Sequence, residues 1–363
     1  MTPAPLSALA ALIALAAAPR ADARRVVLLV ADGAGTAYWS AALYAADSLA
    51  LAAFPVAGLV DPRNTSRPLP ESASSATAFA TGLRTFSAAV GVGPDSLPRL
   101  TVLEAAEAAG LGTGLVTTTH LIDATPAAFA AHVPNRRQGV DIARQMAAAG
   151  IEVLLGDGRS AFDPTVRPDS LDLIAALRRD HVWVETPAEL AAHAAADSVH
   201  ALAGFFAIDR AFDTALRRPT LVEMTSAALQ VLDRDPDGFF LLIENEHTDH
   251  FGHQNLPLGA IVDEVLEVDR AVRVALEYRA DHPETLIVVI GDHETGGLSL
   301  VADSTGALAA AWSTTGHTAE LIPVFAIGPG AEEFGGIRTA AAVGRALFRA
   351  VGARGPPVSG GDD

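Results

Sequence analysis

Acidic residues and histidines gather at three places in this chain. Glu244-Asn245-Glu246-His247-Thr248-Asp249-His250-Phe251-Gly252-His253 packs six potential metal ligands into ten residues. Gly291-Asp292-His293-Glu294 follows directly on the apolar run 286–290, and Asp32, in Ala31-Asp32-Gly33-Ala34-Gly35, follows another apolar run. Mixed nitrogen and oxygen donors suit zinc, whereas all-oxygen sets suit magnesium. The three groups therefore permit two zinc ions and one magnesium ion. A single Asp-His pair after a strand is more often a solvated polar loop; three such groups behind three apolar runs are harder to explain in that way.

The segment Glu71-Ser72-Ala73-Ser74-Ser75-Ala76-Thr77-Ala78-Phe79-Ala80-Thr81-Gly82 predicts a short helix of small residues that begins at Ser72 and stops at the glycine. A serine there meets exposed backbone N–H groups and the positive end of the helix dipole, both favourable to a phosphoryl group. On local grounds alone, an ordinary capping serine is the commoner outcome.

Strands are expected at residues 25–31, 111–117, 151–155, 239–243, 286–290 and 321–327. Helices are expected at 137–149, 220–232, 258–279 and 340–350, with another opening at the capping box of Thr101 and Glu104. Alternation of this kind predicts an α/β fold, a predominantly parallel central sheet with helices on both faces. Polar residues lie just after the strands, where open parallel sheets bind ligands. Without an internal repeat or a long linker, one domain over 24–351 is favoured. Residues 159–219 are the least regular, and 352–363, rich in Gly, Pro and Asp, read as a flexible tail.

Half of the 363 residues are hydrophobic, enough for a large core. Residues 1–23 carry an apolar stretch ending in Ala21-Asp22-Ala23, a small-x-small site that reads as a cleaved signal peptide and places the protein in the periplasm or outside the cell. No basic residue precedes that stretch, so an uncleaved anchor is the alternative. No later run is long enough to span a membrane. There is no cysteine, so packing and bound metal must supply what disulfides do elsewhere. The net charge of −18 argues against nucleic acid as a stable partner, and any anion site must be inverted locally by cations.

Glu71-Ser72-Ala73-Ser74-Ser75-Ala76-Thr77 resembles the signature of the alkaline phosphatase family, whose serine after the acidic residue attacks phosphate. Asp123-Ala124-Thr125-Pro126 with Arg136 is similar to the family's magnesium-side Asp and Thr and its phosphate-binding arginine. Glu244, Asp249 and His253 stand in its E-x(4)-D-x(3)-H spacing, Asp292-His293 in its Asp-His pair, and Gly316-His317-Thr318 in its last zinc motif.

The resemblance implies one zinc on Asp249, His253 and His317, and another on Asp32, Asp292 and His293. It implies magnesium on Asp32, Thr125 and Glu244, with Asp123 acting directly or through water. Small phosphate monoesters would be hydrolysed through a phosphoserine at Ser72, with Arg136 gripping two phosphate oxygens. Glu71 replaces the family's aspartate, and His250 stands where members vary between lysine, tryptophan and histidine. Glu246 and His247 inherit no role. His132 is read as structural, as are His120, His181, His193, His200 and His282. Only 23 residues separate His293 from His317, a short surface insertion where other members carry a large subdomain, so a homodimer remains open. A diesterase of the same superfamily and a non-catalytic binder of metal or phosphate are the alternatives.

Overall fold

Successive apolar residues such as Val26-Val27-Leu28-Leu29-Val30 offer no face to solvent, so a strand made of them is stable only where helices cover both sides of its sheet. That arrangement is found in the computed structural model, which describes residues 24–208 and 217–356. The signal peptide expected over 1–23, and residues 357–363 of the expected tail, lie outside the described residues.

In chain order the strands are β1 (Arg25–Ala31), β2 (Val56–Asp61), β3 (Gly112–His120), β4 (Val153–Asp157), β5 (Val182–Val184), β6 (Leu202–Phe205), β7 (Phe239–Asn245), β8 (Thr285–Ile290), β9 (Glu294–Thr295), β10 (Leu298–Ala302), β11 (Leu308–Trp312), β12 (His317–Thr318), β13 (Ile322–Ile327) and β14 (Gly336–Thr339). Ten of them form one sheet in the order β14-β2-β13-β8-β1-β7-β3-β4-β6-β5. Only β13 runs against the rest, antiparallel to both β2 and β8. Strand β1 lies at the centre and pairs in parallel with β7 and β8.

The helices are α1 (Thr36–Ala45), α2 (Ser72–Thr81), α3 (Val102–Ala108), α4 (Ala124–Ala130), α5 (Gly139–Met146), α6 (Leu173–Asp180), α7 (Pro187–Ala194), α8 (Leu221–Leu232), α9 (His247–His253), α10 (Leu258–Asp281) and α11 (Ala340–Ala350). Alternation along β1 divides them. Val26, Leu28 and Val30 join the core beneath α2, α3, α4, α5, α6 and α11, and Val27, Leu29 and Ala31 join the one beneath α1, α7, α8, α9 and α10.

Capping chemistry explains where several helices start. Thr101 with Glu104, and Thr220 with Glu223, form reciprocal capping boxes at α3 and α8. The expected helix at 137–149 narrows to α5, and that at 258–279 extends to Asp281. The stretch 159–219, expected to be the least regular, contains α6, β5, α7 and β6, and its strands lengthen one edge of the sheet. They are three and four residues long, too short to display a period. Residues 352–356 begin the expected tail, and Ala353 donates its N–H to Phe348 and packs on the core.

Helix α2 is buried along its whole length. Its Ala, Ser and Thr residues let α4 and α11 approach closely. A Cβ added at Gly344 of α11 would stand 2.3 Å from the Ala78 carbonyl oxygen. The hairpin β10–β11 occupies the interval between His293 and His317, and Trp312 at its end meets Tyr38 edge to face at 6.2 Å.

Candidate active site

The three central strands β8, β1 and β7 end at one edge of the sheet. Val30 lies opposite both Glu244 and Ile290, so Asp32, Glu244 and Asp292 arrive side by side. The Asp32 N–H donates to the Asn245 carbonyl at 3.0 Å, and the Gly33 N–H to Asp292 Oδ1 at 3.0 Å. Gly33 has φ +70°, and a Cβ there would lie 2.8 Å from Asp249 Cα. Only glycine lets β1 leave the sheet so close to α9. On α9, the one-turn spacing sets His253 3.3 Å from Asp249 and His250 3.3 Å from Glu246.

Donor atoms of Asp32, Asp292 and His293 lie within 4.8 Å of one another. His293 Nε2 is 3.4 Å from Asp32 and 3.2 Å from Asp292, and all three side chains are fully buried. In a neighbouring group, His253 Nε2 lies 3.2 Å from His317 Nε2, and Asp249 lies 3.3 Å from His253 and 3.7 Å from His317. His317 Nδ1 faces the Pro70 carbonyl at 2.9 Å, and His253 Nδ1 faces that of Thr315 at 2.6 Å. Each Nδ1 must donate there, which leaves both Nε2 atoms facing inward, the edge that metal-binding histidines present. Oxygens of Asp32, Glu244 and Glu246 also lie within 4.8 Å of one another, as do donor atoms of Asp249, His293 and His317, and of Glu246, Asp249 and His250.

Both oxygens of Asp32, Oδ2 of Asp292, Oε1 of Glu244 and Oγ1 of Thr125 are buried without a hydrogen bond. Each such atom costs about 1–3 kcal/mol, and more when charged. Burial, reinforced by Asp292, holds the Asp32 carboxyl well above its ordinary range, and burial with Glu246 does the same to Glu244. Burial and the charge of Asp123 push Glu246 up to about 7. Burial opposes ionisation of Asp249 too, yet the hydrogen bond from His253 and the nearby histidines hold it below the usual range. The same bond lifts His253 to about 9, and burial lowers His293. Divalent cations would reverse this balance, and the donor sets fit them: three of the four groups among the described residues mix nitrogen and oxygen, and Asp32-Glu244-Glu246 is oxygen alone.

The nucleophile candidate stands beside these groups. Glu71, rather than Ser72, caps α2, because its carboxylate accepts the N–H groups of Ala73 at 3.1 Å and Ser74 at 2.7 Å. A third N–H, from Ala88, reaches it at 2.8 Å. Ser72 is therefore released from capping, and its Oγ lies 3.2 Å from His293 Nε2.

Arg136 spans Asp123, its close partner, and Glu71 at 3.5 Å. Burial disfavours its charge, but Asp123 and Glu246 more than compensate and raise its pKa. Asp123 also accepts the Ala124 N–H at 2.7 Å and belongs to none of the three-donor groups among the described residues. His132 lies apart, between the Gly91 carbonyl and Glu104. His181 bonds the Leu177 and Ile151 carbonyls. At the mouth of the site, a cavity of about 420 Å³ opens between Arg67, Pro68, Leu69, His253 and His317.

Sequence reasoning passed over Glu246, although it stands two residues beyond Glu244 at the end of a strand, where alternation returns a side chain to the same face. The loop Arg67–Pro70 was missed as well. It carries no ligand type, and its position depends on contacts distant in sequence.

A family model described as alkaline phosphatase matches residues 23–308. Alkaline phosphatase 3 of Bacillus subtilis is 33% identical over 78% of this chain and 63% of its own length, and the repressible alkaline phosphatase of Saccharomyces cerevisiae is 37% identical over 63% of this chain and 46% of its own. The chain thus spans under two thirds of these curated relatives. It also resembles the streptomycin-6-phosphate phosphatase of Streptomyces griseus, at 31% identity over 92% of both chains. Among solved structures, the alkaline phosphatase of the Antarctic bacterium TAB5 superposes with a TM-score of 0.83 at 32% identity, covering 91% of this chain and 98% of that one. The donors converging at the sheet edge, the serine beside them and these similarities agree: the chain belongs to the alkaline phosphatase family.

Proposed function

We propose that this chain hydrolyses phosphate monoesters to an alcohol and inorganic phosphate, with Ser72 as nucleophile. The observation that carries the reading is the Ser72 hydroxyl, released from capping by Glu71 and set against His293 where buried donors converge.

In the first step a bond forms from Ser72 Oγ to phosphorus and the bond to the ester oxygen breaks. The alcohol leaves with a proton, and Ser72 holds the phosphoryl group. Water then attacks the same phosphorus, inorganic phosphate departs and the Ser72 hydroxyl is restored. Arg136, held between Asp123 and Glu71, offers two N–H groups in a plane to the phosphoryl oxygens. We assign Asp249, His253 and His317 to one zinc, Asp32, Asp292 and His293 to a second, and Asp32, Thr125 and Glu244 to magnesium. When bound, these ions supply positive charge that acidifies the serine hydroxyl and stabilises the leaving oxygen.

Thr125, Glu244 and Arg136 together favour monoesters over the diesters taken by other two-zinc enzymes of this design. A setting outside the cytoplasm, periplasmic or secreted, is supported by the apolar N-terminal stretch and Ala21-Asp22-Ala23. Metal analysis joined to monoester and diester assays on one preparation tests the reading. The expected result is two zincs, one magnesium and preference for p-nitrophenyl phosphate. Phosphate bound without turnover in a fully metallated sample would refute catalysis. Ser72→Ala should lower turnover at least ~10³-fold, about 4 kcal/mol of barrier, with metal content unchanged; full activity in that variant would refute the nucleophile.

A further inference from the structure

We propose that Glu246 is a direct ligand of the divalent cation in the all-oxygen group, taking the place that family resemblance offers to Asp123. The inference rests on the metal assignment above and concerns which carboxylate completes it.

Three observations converge. Oxygens of Asp32, Glu244 and Glu246 lie within 4.8 Å of one another, and Glu246 is 95% buried. Among the described residues the Asp32 oxygens and Glu244 Oε1, all buried, make no hydrogen bond, although the His293 ring stands 3.4 Å from Asp32. Asp123, by contrast, is engaged elsewhere: it pairs with Arg136 and accepts the Ala124 N–H at the start of α4. Glu246 has a neighbour of its own, His250 at 3.3 Å, and adds to the field at Arg136. The geometry nonetheless divides the two: Asp123 is the carboxylate paired with the arginine, and Glu246 is the one grouped with Asp32 and Glu244. Three carboxylates with the Thr125 hydroxyl form a hard, oxygen-only set, suited to magnesium or manganese rather than zinc.

The test uses the full chain stripped by chelator and reloaded with two equivalents of zinc. Mn²⁺ is then titrated as the probe, followed by electron paramagnetic resonance and by metal analysis after desalting. Glu246→Gln should weaken Mn²⁺ binding by about 10- to 100-fold, the range for losing a group that supports a metal site, with two zincs retained. Asp123→Asn should weaken Mn²⁺ binding clearly less than Glu246→Gln does, and should weaken binding of inorganic phosphate by at least as much.

Loss of Mn²⁺ in Asp123→Asn with retention in Glu246→Gln would overturn the proposal, as would equal losses or a chain that takes up no third ion. If Glu246→Gln fails to hold two zincs, Glu246→Asp decides. That variant keeps the charge and shortens the reach, so a several-fold loss supports the proposal and unchanged affinity overturns it. Both readouts are independent of turnover. A chain that binds three ions and leaves monoesters intact would refute hydrolysis but not this ligand.

Discussion

The orientation of Arg136, the residue proposed to grip phosphate, is set by two carboxylates. Its nearer partner is Asp123, and Glu71 stands at 3.5 Å, because the Glu71 oxygens are occupied by the N–H groups of Ala73, Ser74 and Ala88. Arg136→Ala should lower kcat/KM for a monoester by roughly 10²–10³-fold, the scale for losing a donor to transition-state charge, and should lower diester turnover far less; equal losses would count against a phosphomonoesterase. The convergence of Asp32, Asp292, His293 and His317 was legible in the sequence, since each keeps recognisable neighbours. The division of labour between Asp123 and Glu246 was not. It depends on which carboxylate the guanidinium reaches in space, and spacing along the chain carries no information about that.

Two elements carry testable consequences. Where β1 turns toward α9, Gly33 is held at positive φ with Asp249 Cα against the position of its missing side chain. Gly33→Ala should displace Asp32 from Asp249, lowering zinc content and activity together; a fully metallated, fully active Gly33→Ala would show that this approach can yield.

At α3, Glu104 joins the capping box to His132. The Glu104 pKa falls below 4.5 despite burial, through its bond with His132, and that bond lifts His132 above 6.5 against its own burial. The glutamate's contribution is complete above pH 4.5 and lost as pH falls through its depressed pKa. The histidine's is complete below pH 6.5 and lost as pH rises through its elevated one. Glu104→Gln should therefore lower the melting temperature most between pH 4.5 and 6.5, and less once pH has risen past the elevated His132 pKa, as differential scanning calorimetry would show. The capping box was readable from Thr101 and Glu104, and the long strands from their apolar runs. Strands β5, β6 and β14 were missed because three or four residues hold too little pattern, and β2 because Gly58 and Asp61 break its apolar run.

For the whole molecule, a net charge of −18 surrounds a site proposed to bind phosphate esters. The buried carboxylates of Asp32, Glu244, Glu246, Asp249 and Asp292 repel one another until cations arrive, so bound metal should act as a folding ligand as well as a catalytic one. Chelation should lower the melting temperature by about 5–10 °C, the shift for losing a tightly held ion in a domain of this size, and zinc with magnesium should restore it; an unchanged transition would show that the apo site is stable without them. Among the described residues no helix is long and apolar enough to cross a membrane.

The central position of β1 has a further consequence during synthesis. Both of its partners, β7 and β8, emerge roughly 200 or more residues later, about 10–40 s at common ribosomal speeds. For that interval Val26-Val27-Leu28-Leu29-Val30 has two open edges and no lawful neighbour. The strand that leads into Asp32 is thus an aggregation hazard in the nascent chain, and the yield of folded protein should depend on whatever shields it until β7 arrives.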